Sequence, residues 1–157
     1  MERNGNQEGL HQAINQLDDA LSKLCYEGKV QFGRNLNEVQ GVLGRLEGDL
    51  DQLMNYEENF LFPFLVTHIP RLEPLITLLI SEHEDFRKIL ESLKQSLRRL
   101  SRQDEGGRID RTKIKEEGAY LICLLRSHLW VENDKIYRAA HEELKAAERV
   151  KLGRIKS

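Results

Sequence analysis

Cysteine is scarce in this chain. Two thiols, Cys25 and Cys123, stand far apart among 157 residues with no C-x-x-C spacing. That pattern excludes a disulfide framework, and both are expected to be small core residues. Proline is nearly as rare, with only Pro63, Pro70 and Pro74, so long stretches are free to be helical. No run of about 18 uncharged apolar residues occurs, so no membrane span is expected. The opening "MERNGNQEGLHQ" lacks the apolar stretch of a secretory leader, and a cytoplasmic home is expected. A formal net charge of −2 gives no chain-wide basic face, so neither nucleic acid nor a membrane is an expected partner. No activated nucleophile or general base stands out, which favours a binding or sensor protein over an enzyme.

What is present is apolar periodicity within a highly charged sequence. The composition, 39% hydrophobic and 32% charged, fits one compact helical domain. Leu10, Ile14, Leu17, Leu21 and Leu24 step by three and four, which predicts a first helix over roughly 8–27. Leu36, Val39, Leu43, Leu46, Leu50 and Leu53 predict a second, continuing through Glu57, Phe60 and Leu61 to a kink or end near Pro63, with Pro70 and Pro74 in the turn that follows. The third runs from Leu72 through Ile76, Leu79, His83, Phe86, Leu90, Leu93 and Leu97 to Leu100. "SRQDEGGRID" reads as a loop, with Gly106 and Gly107 in it and Asp110 as an N-cap. A fourth helix begins near residue 112 and passes through Leu121, Leu124, Leu125, His128, Glu132, Ile136 and Ala139. Short connections between such helices predict an all-α, up-down-up-down antiparallel four-helix bundle over 8–146, followed by a charged extension over 147–157.

Two segments repeat one pattern. In "MNYEENFLFPFL" and "HLWVENDKIYRAA", Leu53, Glu57, Leu61 and Phe62 correspond to His128, Glu132, Ile136 and Tyr137 at an offset of 75. The other helix pair suggests an offset of 72, with His11, Ile14, Leu17 and Leu21 over His83, Phe86, Ile89 and Leu93. A carboxylate on a buried stripe is costly unless it is paired or binds metal. Glu57, His83, His128 and Glu132 are on the stripes, His11 is at the flank of its own, and all five fall at one height along the helices. His128 and Glu132 stand one turn apart, so both can reach one cation. With His83, Glu57 and His11 they make a nitrogen and oxygen donor set suited to iron, with zinc or manganese as competitors. The Glu-x-x-His pairs of ferritin-type sites do not occur at these positions.

The order and spacing of "EENFLFPFL", "SEHEDFRKIL", "HLWVENDKIYRAA" and "LHQAINQL" resemble the hemerythrin-like, or HHE cation-binding, family over roughly residues 8–140. The resemblance implies a four-helix bundle with non-haem iron, in which His11, Glu57, His83, His128 and Glu132 are metal ligands and Glu57 and Glu132 bridge two irons. The family's helix 2 histidine falls at Leu53, which implies that one metal position has lost a ligand. By resemblance the protein binds or senses dioxygen or nitric oxide, or handles iron. Redox or iron–sulfur repair activity, a degenerate bundle kept for protein interaction, and haem binding by the histidines are the alternatives. A lone histidine in a stripe is ordinarily a hydrogen-bonded core residue, and only their convergence favours ligation. Glu58 is expected to be a solvated neighbour, and His68 and His141 surface residues. The C-terminal extension is read as solvated, with a protein partner or neighbouring domain as the alternative.

Overall fold

The computed structural model describes residues 5–27, 29–102 and 108–156. Among them every regular element is helical: α1 (Gly5–Tyr26), α2 (Phe32–Tyr56), α3 (Phe62–His68), α4 (Glu73–Arg102), α5 (Arg108–Val131), α6 (Arg138–Glu143) and α7 (Ala146–Lys156). The stripes explain how the long helices pack. Leu10, Ile14, Leu17, Leu21 and Leu24 on α1 are buried, as are Leu36, Val39, Leu43, Leu46, Leu50 and Leu53 on α2. Each such leucine contributes about 1.5–3 kcal/mol by leaving water. α1 packs against α2 and α5, and α4 against α5 and α2. At Gly118 on α5 an added Cβ would lie 2.5 Å from Leu21 Cδ1 of α1, so the two helices approach closely there.

The turns have local causes. Asn35, buried at the start of α2, donates its amide to the Lys23 carbonyl and to Glu27 Oε2 at 2.9 Å, tying α2 back to the end of α1. Ile69 leaves helical geometry at φ −134° and ψ 73°, as the residue before a proline is biased to do. α5 begins at Arg108, two residues before the expected cap Asp110, while Gly106 and Gly107 lie outside the described residues.

α2 and α5 each run on into a widened π turn, at Glu57–Leu61 and at Glu132–Tyr137. Each begins on a stripe carboxylate, and π turns of this kind are frequent at functional sites. Pro63 therefore does not end the helix: it sits in the first turn of α3, just beyond the widened segment, and the chain stays helical to His68. The same widening swings Phe60, expected on the apolar stripe, out to 52% exposure, while Leu61 and Phe62 stay buried.

The core forms two apolar clusters. One gathers buried residues of the four long helices from Leu10 to Leu129, and the other gathers Leu61, Phe62, Leu65, Leu79, Ile136 and their neighbours. α7 closes the second cluster. Leu152 is buried in it, Glu148 accepts from the Lys145 backbone N–H at the start of α7, and His68, half-buried, is ion-paired to Glu148. The extension is thus docked through Glu148 and Leu152 rather than wholly in solvent, and His141 is exposed. Neither thiol is the core residue expected: Cys25 is half-buried and Cys123 exposed, because the buried face of α5 passes through Leu121, Ile122 and Leu125 instead. No helix of the described residues is long and apolar enough to cross a membrane.

Candidate metal centre

A layer of polar side chains lies between the two apolar clusters. Glu57 enters it from the end of α2, His83 from mid-α4, His128 from α5 and Glu132 from the first residue of the second π turn. All four are buried, and one donor atom from each lies within 4.8 Å of the others. Imidazole and carboxylate meet in pairs: His83 Nε2 is 3.3 Å from Glu57 Oε1, and His128 Nε2 is 2.9 Å from Glu132 Oε1. The rings lie close together, with His83 and His128 centroids 5.1 Å apart. Phe62 stacks on His83, and Phe86 meets His128 edge-on, so apolar rings screen the imidazoles from water.

Further polar side chains surround this group. The far nitrogen of His83, Nδ1, faces Glu58 Oε2 at 3.5 Å, and Glu58 accepts from Arg87 Nη2 at 2.7 Å. The far nitrogen of His128 faces Glu82 Oε1, also at 3.5 Å. Each imidazole thus points Nε2 inward and Nδ1 towards an outer carboxylate, the arrangement that orients metal-ligating histidines. Glu58 is consequently half-buried beside His83, not the solvated neighbour expected. Tyr137 OH reaches Glu57 Oε2 at 3.5 Å. Gln7, buried on α1, donates Nε2 to Glu132 Oε2 at 3.3 Å.

Burial and neighbouring charges shift the proton equilibria of this pocket. Burial, then the negative charge of Glu132 and a hydrogen bond with it, hold the Glu57 carboxyl well above the usual range. Burial, then the charge of His128, pushes His83 down to about 4, so it is neutral at neutral pH. Burial works to lower His128 as well, but its hydrogen bond to Glu132 and the charges of Glu132 and Glu82 outweigh that and raise it. Glu57 Oε1, both nitrogens of His83 and His128 Nδ1 are buried without a hydrogen-bond partner. Orphaned buried polar atoms are costly and uncommon. Two imidazoles and two carboxylates, with Glu57 Oε1 and His83 Nε2 unsatisfied between them, fit a divalent transition metal such as iron, zinc or manganese.

The structure brings together four of the five residues singled out in the sequence and leaves His11 apart. The helical phase that buries Leu10 and Ile14 turns His11 outward, into a groove of about 440 Å³ lined by Glu8, Gln12, Arg126, Trp130 and Asn133. The sequence reading passes over Gln7 and Glu82 and sets Glu58 in solvent. Gln7 continues the α1 stripe three residues before Leu10, and the two outer acids each stand one residue from a stripe residue.

The family model of the hemerythrin HHE cation binding domain matches residues 7–140, a span that holds all four clustered residues and Gln7. No curated protein and no solved structure matches the chain.

Proposed function

This chain belongs to the hemerythrin family, through its HHE cation binding domain, and we propose on that premise that it is a non-haem iron protein whose ligands are Glu57, His83, His128 and Glu132. The observation that carries the reading is the buried group of four side chains with donor atoms within 4.8 Å, of which Glu57 Oε1 and His83 Nε2 have no hydrogen-bond partner. The α1–α2, α4–α5, α1–α5 and α2–α4 contacts support an up-down-up-down bundle as its frame. When bound, a reduced iron would supply an open coordination position for a diatomic ligand such as dioxygen or nitric oxide.

The chain's own residues do the rest. Glu58, itself held by Arg87, and Glu82 orient the two imidazoles. Phe62 and Phe86 keep water from the rings. Tyr137 steadies Glu57 through Oε2. Such a site suits binding or sensing, since no nucleophile paired with a base lies within the group.

Metal analysis of freshly purified protein, with its absorption spectrum under reducing and oxidising conditions, tests this. Iron is expected in the parent protein and lost from Glu57→Ala and Glu132→Ala. A parent protein that takes up no iron, zinc or manganese would overturn the reading.

A further inference from the structure

The two halves of the chain repeat one helical hairpin, and burial sets the register of that repeat. At an offset of 76, Gln7, Leu10, Ile14, Leu17, Leu21 and Leu24 of α1 coincide with His83, Phe86, Leu90, Leu93, Leu97 and Leu100 of α4, and all twelve are buried. The offset of 72 suggested by sequence fails this comparison, because it pairs the half-exposed His11 with the buried His83 and the buried Leu17 with the half-buried Ile89. The α2 and α5 runs keep their offset of 75, and both π turns begin on its equivalent carboxylates, Glu57 and Glu132.

In that register the contacts of one half reappear in the other with different chemistry. His83 reaching Glu57 at 3.3 Å corresponds to Gln7 reaching Glu132 at 3.3 Å. His128 beside Glu132 corresponds to Leu53 beside Glu57. The outer pair Arg87 and Glu58 corresponds to His11 and Asn133, which line the same surface groove. One half therefore presents two imidazoles, and the other presents an amide and a leucine.

We propose that Gln7 and Leu53 close off a second metal position, so that the centre holds a single ion, and that Gln7 is a positioning residue for Glu132. This rests on the metal-binding reading above and deepens it. Leu53 offers no donor atom. Gln7 directs an N–H at Glu132 Oε2, the oxygen that a second cation would need, and a donor hydrogen does not share that place with a cation. The Gln7 carbonyl oxygen is buried without a partner, and turning the amide over would set that oxygen against the Glu132 carboxylate and lose the N–H bond, so the network favours the N–H towards Glu132. Charge agrees: Glu57 and Glu132 together neutralise one divalent ion, whereas two such ions would add two positive charges with only Glu82 and Glu58, the latter already paired to Arg87, left to face them. With Oε2 occupied, Glu132 is left to meet the ion through Oε1, the oxygen that faces His128.

The test is an anaerobic titration of metal-free protein with ferrous iron and, separately, with manganese(II), followed by equilibrium dialysis and metal analysis. One tight equivalent is expected, and the manganese form should give the electron paramagnetic resonance spectrum of an isolated ion. Two tight equivalents, or an exchange-coupled manganese pair, would overturn the single-ion proposal while leaving the metal-binding reading intact. No uptake would overturn both. Gln7→Leu should keep the one equivalent but bind it about 10-fold more weakly, as loss of an outer hydrogen bond does; unchanged affinity would remove the positioning role. Gln7→His combined with Leu53→His should gain a second equivalent. A double variant with parental circular dichroism that remains at one would count against the assignment of the closed position.

Discussion

Leu46 and Glu57 are equally inaccessible, each at 0% exposure on the same helical run, yet burial acts on them in opposite directions. The leucine is stabilised wherever water is excluded, with nothing else required. The carboxyl is destabilised by the same exclusion and stays charged only if a cation meets it. The apolar cluster from Leu10 to Leu129 is therefore complete in the bare chain, while the layer at Glu57, His83, His128 and Glu132 has unsatisfied donors. The difference separates what folds this protein from what it folds around: substitutions in the first region should act on stability regardless of metal, and those in the second only in relation to it.

The largest effect belongs to the apolar side. Leu46→Ala should cost about 2–5 kcal/mol of unfolding free energy, equally with and without iron, as read by chemical denaturation. A cost that depended on metal would blur the two regions.

On the polar side, pH separates them next. Glu57 and His128 both have raised folded values, so their contribution to the metal-free protein is fully present below their unfolded values and is lost as pH rises through the folded ones. A bound cation would displace those same protons. His83, lowered to about 4 and already neutral, has none to release near neutrality. The gain in Tm on adding ferrous iron should therefore grow from mildly acidic to mildly alkaline buffer. A gain that shrank over that range would reverse the assignment of the protons.

Smaller still is the outer shell. Glu82→Ala removes the carboxylate that faces His128 Nδ1 but no inward donor, and should weaken iron binding by about 10–100-fold without abolishing it, as measured by competition with a chelator. His11→Ala should leave metal content and affinity unchanged, because His11 lies in the surface groove. Loss of iron from that variant would place the boundary of the polar layer wrongly.

Much of this was readable from spacing. The leucine steps of the long helices, and the intrusion of Glu57, His83, His128 and Glu132 into them, follow from a period near 3.6 residues and the cost of burying charge. Gln7 was not, because an uncharged amide near the start of a stripe raises no electrostatic alarm; continuing the stripe three residues back from Leu10 would have found it. Glu58 reads as solvent-facing because it adjoins a stripe residue, and Glu82, beside His83, gives no signal of its own, though a search for a partner to the second nitrogen of each imidazole points to both. Phe60 turns outward through a π turn, which leaves no periodic signature beforehand. The α7 dock rests largely on Leu152, one apolar residue in a charged segment, too little for periodicity to register.

Thermal unfolding of the parent protein and of Glu57→Gln, each with and without ferrous iron under anaerobic conditions, bears on the central claim most directly. In the metal-free chain the Glu57 carboxyl is held well above its usual range, so a neutral amide of the same shape should unfold at or above the parent's Tm. With iron the order should invert: the parent gains stability by mass action, about 2.7 kcal/mol when free iron is 100-fold above Kd, and the variant gains little. Superimposable parent curves with and without iron would contradict the account.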